Sequence, residues 1–230
     1  MDRADKLATP SEFGENRVSL DDIERLGPME IERRSFAIIS REAGDRIPDD
    51  NRAMIIKRVI HTSADFDYLD TLCFSEGAVE AALEALRSGA WIITDTNMAL
   101  SGINKPSLKK AGCEAHCFIA DEDVAREAKT RGVTRASVCV EKAAALTHPL
   151  IYAVGNAPTA LIRLYELIQA GQIRPELIIG VPVGFVNVVQ SKELIMQTDV
   201  PYIVARGRKG GSNVAACICN ALLYELDGSR

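Results

Sequence analysis

The chain has 230 residues, of which 47% are hydrophobic and 26% are charged, and its formal net charge is −5. This composition is typical of one globular domain with enough apolar residues for a sizeable core. The acidic balance argues against a nucleic-acid-binding protein, which normally carries a basic face, and no apolar run reaches the length of a membrane span.

The N-terminal residues are polar and mixed in charge, without the periodicity of a helix or a strand. We expect residues 1–20 to form a flexible tail and residues 21–230 to form a single α/β domain. The tail lacks the apolar core of a signal peptide, which predicts a cytoplasmic protein. The six cysteines form no CxxC pair, as expected for free thiols in a reducing compartment.

Two helices are predicted after the tail. The first begins at Pro28, a favoured first-turn residue, and stops at Gly44. The second is predicted in DDNRAMIIKRVIHTSAD, residues 49–65, with acids in its first turn and then apolar residues at helical spacing. His61 therefore falls in a last helical turn, where the helix dipole favours a protonated imidazole. An isolated histidine is more often a hydrogen-bonded structural residue than a catalytic one, so its position alone does not indicate catalysis.

Beyond these helices, short β-rich runs alternate with helical stretches. The predicted strands are LDTLCF at 69–74, WIIT at 91–94, AHCFI at 115–119, LIYAV at 150–154, ELIIG at 176–180 and YIVA at 202–205. Such alternation predicts right-handed crossovers and a three-layer α/β domain, with a mainly parallel sheet flanked by helices on both faces.

The segments that follow four of these strands are rich in glycine, asparagine, threonine and arginine. They read DTNMALSGINKP, GNAPTAL, GVPVGFVNVVQSK and RGRKGGSN. Ligands of open parallel sheets bind beyond the carboxyl ends of the strands, so these segments predict a pocket for a large anionic ligand. We expect Asn97, Asn156, Gly184 and Arg206 to line one cavity, and Arg208 is a further candidate. Ordinary turn formation is the alternative role for each of them.

Several common functional motifs are missing. No GxGxxG follows a strand, and neither a phosphate-binding P-loop nor a GxSxG nucleophile elbow is present. A Rossmann-like nucleotide or S-adenosylmethionine enzyme is therefore a distant alternative. Cys113, His116 and Cys117 are the one candidate metal cluster, but no second ligand pair has zinc-site spacing, so we predict no metal site.

Five stretches, taken in order, resemble the precorrin-8X methylmutase family, including its cobalt-precorrin-8 form. They are EIERRSFAII, VIHTSADFDY, DTNMALSGI, GNAPTAL with GVPVGFVNVVQSKE, and RGRKGGSN, and the similarity runs from residue 30 to residue 226. The resemblance implies an isomerase of cobalamin biosynthesis that moves a methyl group from C-11 to C-12 of the corrin ring, giving hydrogenobyrinate or cobyrinate. It also implies no external cofactor, a corrinoid tetrapyrrole as substrate and product, and a homodimer.

The resemblance also implies roles for three residues. The catalytic histidine of the family matches His61. Histidine, with an unperturbed pKa of about 6.5, is the side chain suited to donate and accept a proton near neutral pH. Ser35 and Arg135 match substrate-contacting residues of the family. The other candidate substrate-binding residues follow only from their position after strands: Asn97, Asn156, Arg206 and Arg208.

Other features of the sequence bear on the substrate and on the alternative function. RGRKGGSN and EIERRSF favour the cobalt-containing, anaerobic branch of the family, whereas Gln190 stands where a glutamate is common. Lys105, Lys192 and Lys209 are expected to add steering charge for an anionic ligand. A non-catalytic corrinoid carrier is the alternative function, and it differs from the enzyme in not needing the imidazole of His61.

Overall fold

The structure is a computed structural model that describes residues 19–228. The predicted tail, residues 1–20, lies outside the described residues except for its last two. The chain divides into two units, with the boundary between Ser35 and Phe36. In the first unit, a short 3₁₀ helix covers Leu20–Asp22, and the Ser19 side chain accepts a hydrogen bond from the backbone N–H of Asp21.

Both predicted N-terminal helices are confirmed. Helix α1 covers Pro28–Ala43 and helix α2 covers Arg52–Ser63, and a 3₁₀ turn at Gly44–Arg46 lies between them. His61 lies in the last turn of α2, as predicted. The helix ends at Ala64, which adopts a left-handed backbone conformation with φ of 53°.

Strands and helices alternate along the rest of the chain. In chain order the elements are α3 (Tyr68–Thr71), β1 (Leu72–Phe74), α4 (Ala78–Arg87), β2 (Trp91–Thr94), α5 (Asn97–Gly102), α6 (Lys105–Lys110), β3 (Ala115–His116), α7 (Glu122–Arg131), α8 (Arg135–Ala144), β4 (Leu150–Val154), α9 (Pro158–Gln169), β5 (Leu177–Gly180), α10 (Val188–Met196), β6 (Tyr202–Ala205) and α11 (Ser212–Asp227). None of the helices within residues 19–228 is long and apolar enough to cross a membrane.

The six strands form one sheet in the order β1-β6-β5-β4-β2-β3. All neighbouring pairs are parallel except β1 with β6, so the predicted α/β class with a mainly parallel sheet is confirmed. Two strands are shorter than predicted by more than one residue, because LDTLCF begins inside α3 and AHCFI is extended only at Ala115–His116. Both are edge strands with a single neighbour, and pairing therefore supports fewer residues in them.

Two apolar cores lie on opposite faces of the sheet. Ile92 and Ile151 belong to the core that α2, α4 and α11 cover, whereas the next residue of each strand, Ile93 and Tyr152, belongs to the core under α8, α9 and α10. Successive strand residues point to opposite faces, so strands buried on both sides become continuous apolar runs. This explains why LIYAV is a continuous apolar run and why WIIT is apolar up to Thr94.

The start of α11 packs closely against the ends of two strands. A Cβ atom added to Gly155, directly after β4, would lie 2.6 Å from Cα of Ser212. The hydroxyl oxygens of Thr96, after β2, and Ser212 are 2.8 Å apart. A residue larger than glycine at position 155 would therefore separate the strand end from the helix.

We expect Gly155→Ala to lower the free energy of unfolding by about 1–3 kcal/mol, because the added methyl group collides with backbone rather than with a movable side chain. Urea denaturation measures this loss. Gly27→Ala is the control, since a Cβ atom there meets nothing within 4 Å, and its effect should stay within about 0.5 kcal/mol. A Gly155→Ala variant as stable as the unsubstituted protein would contradict this packing.

Candidate active site

Four parallel strands end at the same edge of the sheet. Strands β2, β4, β5 and β6 lie next to one another in the sheet, and the ends of each neighbouring pair are level to within one residue. We call this side the carboxyl edge, comprising residues 95–97, 155–157, 181–187 and 206–211. Asn97, Asn156, Gly184 and Arg206 therefore share one edge, as predicted from the strand ends. That they line one cavity stays a prediction.

A buried acid that the sequence patterns did not indicate lies at this edge. The carboxylate of Asp95 accepts hydrogen bonds from the backbone N–H groups of Gly155, Asn156 and Ala157, at 2.9, 2.8 and 2.7 Å. Burial raises the pKa of Asp95, and these three N–H groups oppose that rise. Asp95 thus shapes the turn that presents Asn156. An acid directly after a buried strand, as in WIITD, is the sequence signal that marks such a residue.

The segment after His61 also lies at the carboxyl edge. The Nζ atom of Lys209 is 2.6 Å from Oδ2 of Asp65 and 2.6 Å from Oδ2 of Asp67. Close by, the backbone N–H of Arg206 donates to the carbonyl of Thr71 at 2.7 Å. The end of α2 is therefore joined to the loop that follows β6.

The imidazole of His61 is exposed. Its ring centroid lies 5.3 Å from that of Phe36, with the planes tilted by 41°. Within residues 19–228 the imidazole makes no hydrogen bond. A histidine with a structural role is normally buried and hydrogen-bonded, and His61 has neither property. The imidazole is accordingly accessible to a ligand at the carboxyl edge.

The arginines of the edge differ in what they contact. The guanidinium of Arg206 makes two bonds to the carboxylate of Glu193, at 2.7 and 3.0 Å, and it is therefore already paired. The guanidinium of Arg208 lies 5.5 Å from the ring centroid of Phe185, a side chain that is 82% exposed. Arg135 is exposed and makes no ion pair in the described part of the chain. Arg135 and Arg208 are thus better placed than Arg206 to bind carboxylates.

Arg135 reaches this edge because α8 and α9 begin side by side. The hydroxyl of Thr134, the N-cap of α8, donates to the hydroxyl of Thr159 at 2.9 Å. Thr159 lies in the first turn of α9, which follows Asn156 and the end of β4. Arg135, the first residue of α8, therefore lies near the exit that carries Asn156.

The predicted steering role is wrong for Lys192, because this side chain is fully buried in α10. Its ammonium donates to the carbonyl groups of Gly207, at 2.8 Å, and Lys209, at 2.9 Å. Burial lowers the pKa of Lys192 to about 8. The lysine holds the backbone of the 206–211 loop instead of attracting a ligand.

The burial of Lys192 predicts a specific pH dependence of stability. Relative to a Lys192→Met variant, we expect the free energy of unfolding of the unsubstituted protein to rise between about pH 8 and pH 10.5. In this window the unfolded chain binds more protons than the folded chain, and stability then increases with pH. Urea titrations of both proteins across the window measure the difference, and the other titrating groups cancel. A difference that does not change with pH would contradict the prediction.

Ser35 and the cysteines are the remaining candidates from the sequence. Ser35 belongs to the first unit, where its hydroxyl donates to the carbonyl of Ile31 at 2.9 Å, and its predicted substrate contact stays a prediction. The six cysteines are free, as expected. In the candidate metal cluster, the thiol of Cys113 donates to the carbonyl of Leu86 at 3.2 Å.

Comparison with known proteins identifies the family of the chain. The family model of precorrin-8X methylmutase matches residues 30–225. The chain belongs to this family. It is 49% identical over 205 residues to cobalt-precorrin-8 methylmutase of Salmonella typhimurium, covering 86% of this chain and 96% of that protein. It is 43% identical over 201 residues to cobalt-precorrin-8 methylmutase of Leptospira interrogans, covering 84% and 91%.

A solved structure supports the same assignment. The crystal structure of the precorrin-8X methyl mutase from Thermus thermophilus aligns with a TM-score of 0.78 at 40% identity, covering 87% of this chain and 99% of that one. Precorrin-8X methylmutases are isomerases of cobalamin biosynthesis that shift a methyl group within one molecule. The chain is therefore an isomerase, and its carboxyl edge is the candidate active site.

Proposed function

We propose that the chain moves a methyl group from C-11 to C-12 of cobalt-precorrin-8 or precorrin-8X, giving cobyrinate or hydrogenobyrinate, with His61 as proton donor and acceptor. The observation that carries this proposal is the imidazole of His61, which is exposed at the carboxyl edge and free of hydrogen bonds within residues 19–228. Both curated relatives described above are cobalt-precorrin-8 methylmutases, which supports the cobalt form as substrate.

The proposed reaction needs one proton and no external cofactor. The imidazolium of His61 donates a proton to a ring nitrogen, which withdraws electron density from the conjugated system of the substrate. The bond between the methyl carbon and C-11 then breaks as its bond to C-12 forms, and the proton returns to the neutral imidazole. Histidine suits both transfers because its ordinary pKa lies near neutral pH.

Binding is proposed to depend on the peripheral carboxylates of the corrinoid. The planar guanidinium groups of Arg135 and Arg208 can each bind a carboxylate through two parallel N–H bonds. Asn97 and Asn156 expose side-chain amides at the same edge and can add single hydrogen bonds. The exposed ring of Phe185 beside Arg208 offers an apolar surface to the macrocycle. A homodimer and a cytoplasmic location stay predictions.

We expect His61→Ala to lower turnover by about 10²–10⁴-fold, the usual contribution of a general acid, while binding of the corrinoid product persists. Turnover is followed by the change in absorption spectrum at saturating substrate, and product binding by titration. His61→Asn, which keeps a hydrogen-bonding group but cannot deliver a proton as imidazolium does, should show the same loss.

His148→Ala is the matched control, because His148 is exposed and stacks on Trp91 at the opposite, amino end of the strands. Its turnover should equal that of the unsubstituted protein. Near-normal turnover by both His61 variants would exclude His61 as the acid. Product binding without turnover in the unsubstituted protein would instead favour the corrinoid carrier.

A further inference from the structure

Two lysines fix the 206–211 loop, and one of them also joins the loop to the segment that follows His61. Lys192 holds the loop from inside the protein, and Lys209 reaches from the loop to Asp65 and Asp67. We call these two lysines and their hydrogen bonds the lysine brace. None of the four residues is needed for the proton transfer itself, so their arrangement requires a separate explanation.

The inner half of the lysine brace is buried and hydrogen-bonded. Lys192 is fully buried, and its ammonium donates to the carbonyl of Lys209 itself at 2.9 Å. On the other side of the loop, the N–H of Gly211 donates to the carbonyl of Val181 at 2.9 Å. The backbone of Lys209 is therefore held between α10 and the end of β5, which limits where its side chain can reach.

The outer half of the lysine brace acts on a turn in an unfavourable conformation. Ala64 has φ of 53°, a region that residues with a Cβ atom seldom adopt and that neighbouring contacts must hold. Asp65 is the next residue, and its carboxylate accepts bonds from both the ammonium of Lys209 and the N–H of Asp67. His61 lies only three residues before this turn, so movement of the turn moves the end of α2.

The charges of the outer half favour the same geometry. Hydrogen bonds with Asp65 and Asp67 raise the pKa of Lys209. Burial acts to raise the pKa of Asp65, but the bonds from Lys209 and from the N–H of Asp67 outweigh it and lower that pKa. Lys209 and Asp65 therefore stay charged across the neutral range. Exposed ion pairs add little to overall stability, so the main effect of this one is geometric.

We propose that the lysine brace positions the imidazole of His61 for proton transfer, which makes Lys209 a positioning residue of the active site. This inference rests on the proposed role of His61. The competing role for Lys209 is direct binding of a substrate carboxylate, which its place at the carboxyl edge also permits. The two roles predict opposite effects when the aspartates are neutralised.

Measurements of kcat and KM distinguish the positioning role of Lys209 from direct substrate binding. We expect Lys209→Met and the double variant Asp65→Asn with Asp67→Asn each to lower kcat roughly ten- to a hundredfold, the size of effect that slight misplacement of a catalytic group causes, with KM nearly unchanged. Lys209→Arg, which can still bridge both aspartates, should recover most of kcat. If Lys209 instead binds substrate, Lys209→Met raises KM, whereas the double variant frees the ammonium and lowers KM.

The matched control is Lys142→Met, because Lys142 bridges Asp121 and Asp123 at 2.7 Å each, in the same arrangement but on α8. Its kcat should not change. Loss of kcat in this control equal to that in Lys209→Met would mean that any such bridge affects the fold, and it would overturn the inference.

A second readout does not depend on activity. The chain has three histidines, so the imidazole NMR signals of His61, His116 and His148 can be resolved and assigned. Lys209→Met should shift or broaden the signal of His61 alone, whereas Lys142→Met should leave it unchanged. An unaltered His61 signal and an unaltered kcat in Lys209→Met would overturn the inference. Full turnover by His61→Asn would instead overturn the proposed function, so the two failures are distinguishable.

Discussion

The parallel pairing of β2, β4, β5 and β6 is the constraint on which the active site depends. Parallel neighbours end at the same side of a sheet, so segments that are far apart in the sequence come together there. The pairing register brings the exits that carry Asn97, Asn156 and Arg206 to one edge. Helices cover both faces of the sheet, so the side chains of these strands are buried on both sides.

Two buried charged residues hold the loops that follow the paired strands. Asp95 and Lys192 are both buried, and both are bonded to backbone groups of loops instead of to each other or to surface charges. Asp95 accepts from three N–H groups after β4, and Lys192 donates to two carbonyls after β6. A buried charge that is hydrogen-bonded to a loop restricts the loop more strongly than a neutral group does, because a buried charge without partners is very unfavourable. The exposed side chains of the site, such as Arg208, lie beyond these points.

Local patterns predicted the elements well where burial is two-sided. WIIT, LIYAV and YIVA form strands at the predicted residues, and His61 lies in the last turn of α2 as expected. The edge strands were predicted too long, because their length depends on how many neighbours pair with them and not on β-propensity. The burial of Lys192 and the pairing of Arg206 with Glu193 could not be predicted, since both depend on contacts between α10 and the 206–211 loop. The candidate residues of the site could be predicted from the sequence, but which of them are exposed and unpaired depends on tertiary contacts.

The proposed function requires that the substrate binds at the carboxyl edge with a ring nitrogen against the imidazole of His61. A crystal structure of the protein with the bound corrinoid product is the most direct test. We expect the macrocycle to lie over the carboxyl edge, with one ring nitrogen within about 3 Å of an imidazole nitrogen of His61 and with peripheral carboxylates on Arg135 and Arg208. A product bound at the amino ends of the strands, or at the carboxyl edge with His61 turned away from the ring, would contradict it.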